Sequence, residues 1–115
     1  MQENLTWNEF MRVDMRVGTI IEVNDFPKAK RPAYQLIIDF GYEIGVRKSS
    51  AQITKRYQKE DLVNRQVIAV VNFPKKQIAN FMSECLVIGA VGDKGEDDVV
   101  LLQPDFKIQN GLKIG

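Results

Sequence analysis

The chain has 115 residues, 44% of them hydrophobic and 27% charged, which is ordinary for a globular protein of about one domain. It contains no histidine and one cysteine, which excludes histidine-based catalysis, histidine metal sites and an internal disulfide. Net charge is +1, yet residues 28–76 carry eleven Lys and Arg against four Asp and Glu. We therefore predict one domain over residues 1–115, with a positive face if the fold gathers those cations.

The first predicted element is a short helix within residues 4–11. Thr6 suits its N-cap, and Glu9, three residues later, completes a capping box. A helix of about seven residues is marginal alone in water, so its apolar side chains need a covering surface. We predict that this surface is a second copy of the chain, in a symmetric homodimer. The predicted interface residues are Leu5, Trp7, Phe10 and Met11.

Short apolar runs separated by turns follow along the rest of the chain. A glycine-rich turn at residues 41–45 and an acidic turn at residues 93–98 are typical of hairpins. Fragments of helix are indicated in the polar stretch 49–59 and at residues 60–64. This pattern predicts an all-β fold, a five-stranded Greek-key barrel of the OB type with a short N-terminal helix and small connecting helices. Strands are predicted at Val17–Val23, Tyr34–Phe40, from Ile44, at Gln66–Phe73, at Leu86–Gly92 and at Val99–Leu102.

The segment from Asn72 to Ala90 is the most informative for function. A buried strand ends at Pro74, two lysines follow, and an apolar Phe-Met pair precedes the next strand. Lysines beside an apolar pair in a predicted loop favour a partner that is both apolar and either anionic or polar. The cations in the turn after the first strand are predicted to share that face.

Candidate ligand-binding residues are cations, aromatic residues and small hydrogen-bonding residues near these loops. Phe81 and Met82 are interpreted as the floor of an apolar cleft, because methionine adapts to varied partners, whereas Phe73 is expected to be ordinary core. Serine and glutamine at residues 49–52 either bind the main chain of an extended peptide or cap a turn. The full set is Phe26, Lys28, Lys30, Arg31, Tyr34, Arg47, Ser49, Ser50, Gln52, Asn72, Phe73, Lys75, Lys76, Phe81, Met82, Ser83 and Glu84.

Catalysis has little support in the sequence. Ser49 and Ser50 have no histidine to activate them, and Lys48 would need strong desolvation to act as a base. The acidic turn at residues 93–98 lacks the ligand spacing of a calcium loop. We predict that the protein is not an enzyme and uses no cofactor and no metal.

The expected location is the cytoplasm. No apolar run approaches the ~20 residues of a membrane span, so we predict no membrane insertion. The N-terminus lacks the apolar core of a signal peptide. A single thiol suits a reducing compartment.

Several segments resemble one known family. The run from Val13 to Ile20, with Asp-Met-Arg-Val-Gly inside it, resembles the opening of the tRNA-binding domain found at the C-terminus of many methionyl-tRNA synthetases. Phe26-Pro27-Lys28-Ala29 is similar to its HPNA turn, with Phe in place of His and Lys in place of Asn. Val67–Lys76 resembles its strand-and-loop VVVVANLKPRK, and Ser83-Glu84 falls where its S-x-G-M begins. The resemblance runs from about residue 12 to the end.

A standalone domain with a short N-terminal helix is most similar to the bacterial secretion chaperones of this family. The resemblance implies a homodimer of OB-like barrels that binds unfolded preproteins and the export motor SecA. Two departures from the tRNA-binding members fall near the expected nucleic-acid face. Lys30-Arg31-Pro32 stands where those members have Asp-Lys-Leu, and Cys85-Leu86 stands where they have Gly-Met.

The leading functional hypothesis is a molecular chaperone for protein export, which holds extended segments of unfolded preproteins in a cleft with an apolar floor and a basic rim. The alternative is a structure-specific tRNA-binding protein, favoured by the added cations Lys30 and Arg31. Its candidate stacking residues, Phe26, Tyr34 and Tyr57, are few.

Overall fold

Short strands dominate the computed structural model, which describes residues 3–115. Each strand comes from an apolar or β-branched run bounded by turn residues, as in β2, where buried and half-buried residues alternate. The elements in chain order are α1 (Trp7–Met11), β1 (Met15–Asp25), β2 (Tyr34–Asp39), α2 (Gly41–Ile44), β3 (Val46–Ala51), α3 (Lys59–Leu62), β4 (Gln66–Val70), β5 (Lys76–Ile78), β6 (Phe81–Ser83), β7 (Leu86–Val87), β8 (Gly89–Val91) and β9 (Val99–Leu101).

Five strands form an antiparallel sheet in the order β3-β2-β1-β4-β7, curled into a nearly closed barrel. The long strand β1 pairs with β4 through its first half and with β2 through its second half. A bulge between Ile20 and Glu22 bends the strand where it changes partner. The predicted all-β barrel with short helices is confirmed.

The gap between β3 and β6 is bridged by residues at the end of β6 and directly after it. The Glu84 backbone N–H donates to the Lys48 carbonyl at 2.8 Å, and the Ser50 N–H donates to the Ser83 hydroxyl at 3.1 Å. The edge of β3 is therefore covered by a backbone donor, the Glu84 N–H, and a side-chain acceptor, the Ser83 hydroxyl, which protects it from pairing with another chain.

The core lies inside the barrel. Its fully buried members alternate along the strands, as the period of two requires. Leu62 of α3 closes one end, and the Asn64 N–H donates to the Ile20 carbonyl at 2.7 Å, which ties α3 to β1. The core residues without solvent exposure include Ile20, Leu36, Ile38, Phe40, Leu62, Val67 and Ala69.

The C-terminal segment runs beside the first half of β1. The Val17 N–H donates to the Leu112 carbonyl at 3.0 Å, and the Ile114 N–H donates to the Met15 carbonyl at 2.9 Å. The predicted turn at Asn110-Gly111 is present, with Gly111 at a φ of 91°. The tail therefore adds one more backbone ladder to the barrel.

Several predicted boundaries and elements are wrong. The helix α1 begins at Trp7, although its Thr6–Glu9 capping box is present as predicted. Residues 49–51, which were predicted to belong to the polar stretch 49–59 with a fragment of helix, continue β3, because Ser49 is buried opposite Leu36 of β2. The predicted strand Leu86–Gly92 is two strands, because the chain leaves β4 near Ile88 and then pairs with β9.

The predicted loop before Cys85 is also incorrect. Residues 76–83 form a hairpin, β5–β6, with Ala79 and Asn80 at its turn. In the described residues, no helix is long and apolar enough to cross a membrane.

Candidate functional site

The β5–β6 hairpin builds one wall of the site. Its register pairs Lys76 with Ser83 and Ile78 with Phe81. Because side chains alternate between the two faces of a strand, these four lie on one face, and Met82 lies on the other. The alternation therefore separates Phe81 from Met82, although both were predicted to form one apolar floor.

Phe81 anchors the hairpin to the barrel. Its ring lies 5.4 Å from the ring of Phe26, and both side chains are buried together with Ala33. The Lys48 ammonium lies 5.2 Å from the centre of the Phe81 ring, a cation–π distance. Phe26 and Phe81 thus hold the wall in place and offer little surface to a ligand.

An open cavity of about 600 Å³ lies between this hairpin, the end of β3 and the segment that follows β4. Its floor and sides include Phe73, which is 57% exposed, and Leu86, which is 48% exposed. The expectation that Phe73 is core is therefore wrong. We call this space the apolar cavity; its lining residues are Ser50, Gln52, Phe73, Pro74, Lys75, Lys76, Ile78, Ser83, Cys85 and Leu86.

A second cavity, of about 260 Å³, adjoins the first. The two share Ser50, Gln52 and Ile78. The turn between β1 and β2 brings three cations to it, as the sequence predicts. We call it the basic cavity, and the two cavities together the groove; the basic cavity is lined by Lys28, Ala29, Lys30, Arg31, Ala33, Ser50, Gln52, Ile78 and Ala79.

The Cys85 thiol is an apolar part of the floor. Burial raises the pKa of this thiol to about 12, so it stays protonated at neutral pH. Its sulfur donates to the Lys48 carbonyl at 3.7 Å. Cys85 therefore behaves as a small uncharged side chain and not as a reactive nucleophile.

Glu84 places a carboxylate beneath the rim of the groove. One oxygen accepts a hydrogen bond from the Lys48 N–H at 3.0 Å, and the other lies 3.5 Å from the Lys75 ammonium. The carboxylate is mostly shielded from solvent, whereas the Lys75 side chain is largely exposed. Glu84 thus fastens the end of β6 to β3 and leaves Lys75 at the surface.

The structure brings nine of the seventeen predicted ligand residues together in the groove. They come from the β1–β2 turn, the end of β3, the segment after β4 and the β5–β6 hairpin. Sequence separation is large, so the fold alone makes them neighbours. The nine are Lys28, Lys30, Arg31, Ser50, Gln52, Phe73, Lys75, Lys76 and Ser83.

Other predicted residues support the barrel beside the groove. Arg47 donates to the Val71 carbonyl at 2.9 Å, and the Asn72 side chain bridges the Asp14 N–H and the Arg12 carbonyl. Ser49 is only 1% exposed, and the Tyr34 hydroxyl donates to the Tyr57 carbonyl at 2.8 Å. Met82 is exposed on the outer face of the hairpin.

Seven of the sixteen residues that line the groove were missed from the sequence: Ala29, Ala33, Pro74, Ile78, Ala79, Cys85 and Leu86. Ile78 belongs to a hairpin that has no glycine or proline signal at its turn, so the predicted loop hid its alternation. Leu86 opens the run that was interpreted as a buried strand, and Cys85 directly precedes it. The chain changes its pairing partner from β4 to β9 at Ile88, which leaves Leu86 at the rim of the groove. No local sequence pattern indicates this change.

A second exposed apolar surface lies on α1. None of its residues is buried, and Trp7 is 69% exposed with its ring 5.7 Å from that of Phe10. A shallow cavity of about 360 Å³ between Glu9, Val13 and Phe73 lies beside this helix. The α1 surface therefore adjoins the groove through Phe73.

Comparison with known proteins places this barrel in a family. The family described as "Putative tRNA binding domain" matches residues 15–113, which include all the described residues that line the groove. The chain belongs to this tRNA-binding-domain family. Methionine–tRNA ligases from Thermococcus onnurineus and Pyrococcus furiosus are 37% and 36% identical to it over 112 and 110 residues. The matches cover 97% and 96% of this chain but only 14% of each ligase.

Solved structures of similar length match this chain from end to end. The chaperone CsaA of Bacillus anthracis is 49% identical, with a TM-score of 0.89, over 98% of this chain and 100% of that one. The CsaA chaperone of Picrophilus torridus is 54% identical, with a TM-score of 0.89, over 97% and 100%. A MetRS-related protein of Pyrococcus horikoshii is 25% identical, with a TM-score of 0.86. The comparisons support a chaperone or tRNA-binding role for this tRNA-binding-domain protein.

Proposed function

We propose that the protein is a molecular chaperone that holds extended segments of unfolded polypeptide in the groove. The observation that carries this proposal is an exposed apolar cavity with two lysines at its rim. Phe73, Ile78 and Leu86 supply apolar surface for side chains of many shapes. Burial of such surface is non-directional, so it suits clients without a common sequence.

The groove also offers partners for a polypeptide main chain. Ser50, Gln52 and Ser83 lie between the apolar residues and carry hydroxyl and amide groups. The end-to-end match with two CsaA chaperones at 49% and 54% identity supports the same assignment.

The second candidate is tRNA binding, favoured by the family and by the three cations of the basic cavity. Single-stranded nucleic acids are usually held by a basic groove together with stacked aromatic side chains. Among the described lining residues of the groove, Phe73 is the single aromatic one. Phe26 is buried and Tyr34 is half-buried with its hydroxyl already bonded, so these two predicted stacking residues are poorly placed.

A salt series separates the two candidates. Suppression of aggregation of a denatured client should persist at about 0.3 M salt, because apolar burial is not screened. Binding of bulk tRNA, measured by filter retention, should weaken steeply, with a slope of about −0.7 per neutralised phosphate for single strands. Loss of client protection at that salt, with submicromolar tRNA binding under physiological conditions, would replace the chaperone proposal by the tRNA one.

Protein export belongs to the same proposal, on the resemblance to the secretion chaperones. The clients would be preproteins in the cytoplasm, and the partner that receives them would be SecA. Co-sedimentation of the purified protein with SecA, with and without a denatured preprotein, tests the partnership. If neither mixture contains a complex with SecA, the proposed role in export is wrong, and the proposed chaperone activity is unaffected.

A further inference from the structure

The two halves of the groove differ in chemistry. The apolar cavity is formed largely by uncharged surface, whereas the basic cavity receives Lys28, Lys30 and Arg31 from one turn. Ser50, Gln52 and Ile78 belong to both, so an extended segment in one cavity continues into the other. A bound segment would therefore meet an apolar environment at one end and a cationic one at the other.

Three of the five cations that line the groove have no ion-pair partner among the described residues, whereas Lys75 pairs with Glu84 at 3.5 Å. No acidic residue lines either cavity among the described residues. Within residues 3–115, no carboxylate comes within ion-pair distance of Lys28, Lys30 or Lys76. Arg31 has one partner, Glu96, at 3.9 Å, and both side chains are mostly exposed, so this pair is weak.

We propose, resting on the function proposed above, that the groove selects unfolded segments in which apolar residues are accompanied by Asp or Glu, and disfavours segments flanked by Lys or Arg. The apolar residues occupy the apolar cavity, and the carboxylates face the cations of the basic cavity. Lys or Arg in a flanking segment would face these cations and be repelled by them. Interfaces use such repulsion between like charges to reject wrong partners.

This selection has a consequence for export clients. An export signal begins with a positively charged region before its apolar stretch. The basic cavity opposes that region, so the groove holds acidic and apolar stretches elsewhere in the preprotein. The signal itself is left free for the export machinery.

The test compares three labelled peptides of one length and one apolar core, flanked by Glu, by Ser or by Lys. Fluorescence anisotropy at about 0.05 M salt should show the Glu peptide binding about tenfold more tightly than the Lys peptide, with the Ser peptide between. A few surface ion pairs, each contributing a factor of about five or less, account for that range. At about 0.5 M salt the three affinities should converge, because exposed charges are then screened.

Matched variants locate the effect. Lys28→Glu with Lys30→Glu should abolish or reverse the preference for the Glu peptide. Lys107→Glu with Lys113→Glu changes the net charge equally, but on residues that line neither cavity of the groove, and should preserve the preference. Equal effects of the two double variants would overturn the proposal, since the preference would then reflect overall charge.

The outcomes distinguish this inference from the function beneath it. Equal affinity for the three peptides overturns the charge selection and leaves peptide binding intact. No binding of any peptide, together with no protection of a denatured client, overturns both. Displacement of the Glu peptide by a short oligouridylate at lower concentration than by unlabelled Glu peptide would assign the basic cavity to phosphate and also overturn the proposal.

Discussion

At the scale of single residues, the motif shared with the tRNA-binding domains has a structural explanation. Arg16 pairs with Asp14 at 2.6 Å and also donates to the Gly111 carbonyl at 3.0 Å. The hydrogen bond to Asp14 is the main cause that raises the pKa of Arg16, which therefore keeps its charge. The Asp-x-Arg pair thus fastens the C-terminal segment to β1, away from the groove.

Gly18 of the same motif is required by close packing. A Cβ atom at this position would lie 2.7 Å from Ile38 Cγ2 and from the Phe40 ring, and both side chains are fully buried. Gly18→Ala should destabilise the fold by about 1–3 kcal/mol, the usual cost of overpacking a core. Urea unfolding measures this loss in the free energy of unfolding. Gly115→Ala is the control, because no atom lies near a Cβ at that position. Equal midpoints for the two variants would contradict this packing.

At the scale of elements, β1, β2 and β4 were predictable from the sequence, because each is an apolar, β-branched run bounded by turn residues. The β5–β6 hairpin was not predictable in this way. Its turn uses Ala79 at a φ of 52°, where glycine is the usual residue, so no local signal marked it. Because this segment was predicted as a loop, no alternation of side chains separated Met82 from Phe81. Met82 was therefore wrongly included in the predicted cleft.

The groove was predictable in composition and not in geometry. Cations after the first strand and after Pro74 indicated a basic rim. The exposure of Phe73 and Leu86 depends on how the chain leaves β4 and reaches β8, which is decided by long-range pairing. Long-range pairing is the information that short sequence windows lack.

The β8–β9 turn depends on one buried carboxylate. Asp98 is only 3% exposed. Its carboxylate accepts a hydrogen bond from the Arg56 side chain and another from the Lys94 backbone N–H. The hydrogen bond from Arg56 is the largest cause that lowers the pKa of Asp98. Its stabilising contribution is therefore present above the unfolded pKa near 3.9 and is lost as pH falls through the lower folded pKa.

This linkage predicts a pH-dependent effect of Asp98→Asn. The variant should be less stable than the native chain at pH 7, and the difference should shrink as pH falls below about 4. Urea midpoints between pH 7 and 2.5 measure it, with Asp105→Asn as an exposed control. A difference that stays constant over this range would show that the charge of Asp98 is not what stabilises the turn.

At the scale of the whole molecule, the α1 surface predicts a homodimer. Leu5 and Trp7 are exposed, Phe10 is half-buried, and the helix is too short to be stable without a covering partner. A two-fold interface covers the same patch on both copies. We expect light scattering at micromolar concentration to give twice the mass of one 13.1 kDa chain.

The paired substitution Trp7→Ala, Phe10→Ala should shift the protein toward monomer, since it removes the aromatic pair from the interface. Tyr42→Ala is the control, because this exposed side chain lies on α2 and not on α1. A native mass near 13.1 kDa would contradict the dimer. A double variant that still assembles like the native chain would remove α1 from the interface.

Binding of unfolded polypeptide in the apolar cavity can be tested with one pair of substitutions. Phe73→Ser removes an exposed aromatic side chain from the cavity, whereas Met82→Ser removes an exposed apolar side chain from the opposite face of the adjoining hairpin. Neither change should alter stability by more than about 0.5 kcal/mol, because both are surface positions.

The measurement is the affinity of each variant for one labelled, permanently unfolded client at about 0.3 M salt. Phe73→Ser should weaken binding by about tenfold, the loss expected from roughly 1.5 kcal/mol of apolar burial. Met82→Ser should leave the affinity within about twofold of the native value. Native affinity in a folded Phe73→Ser variant, or equal losses in both variants, would contradict binding in the apolar cavity.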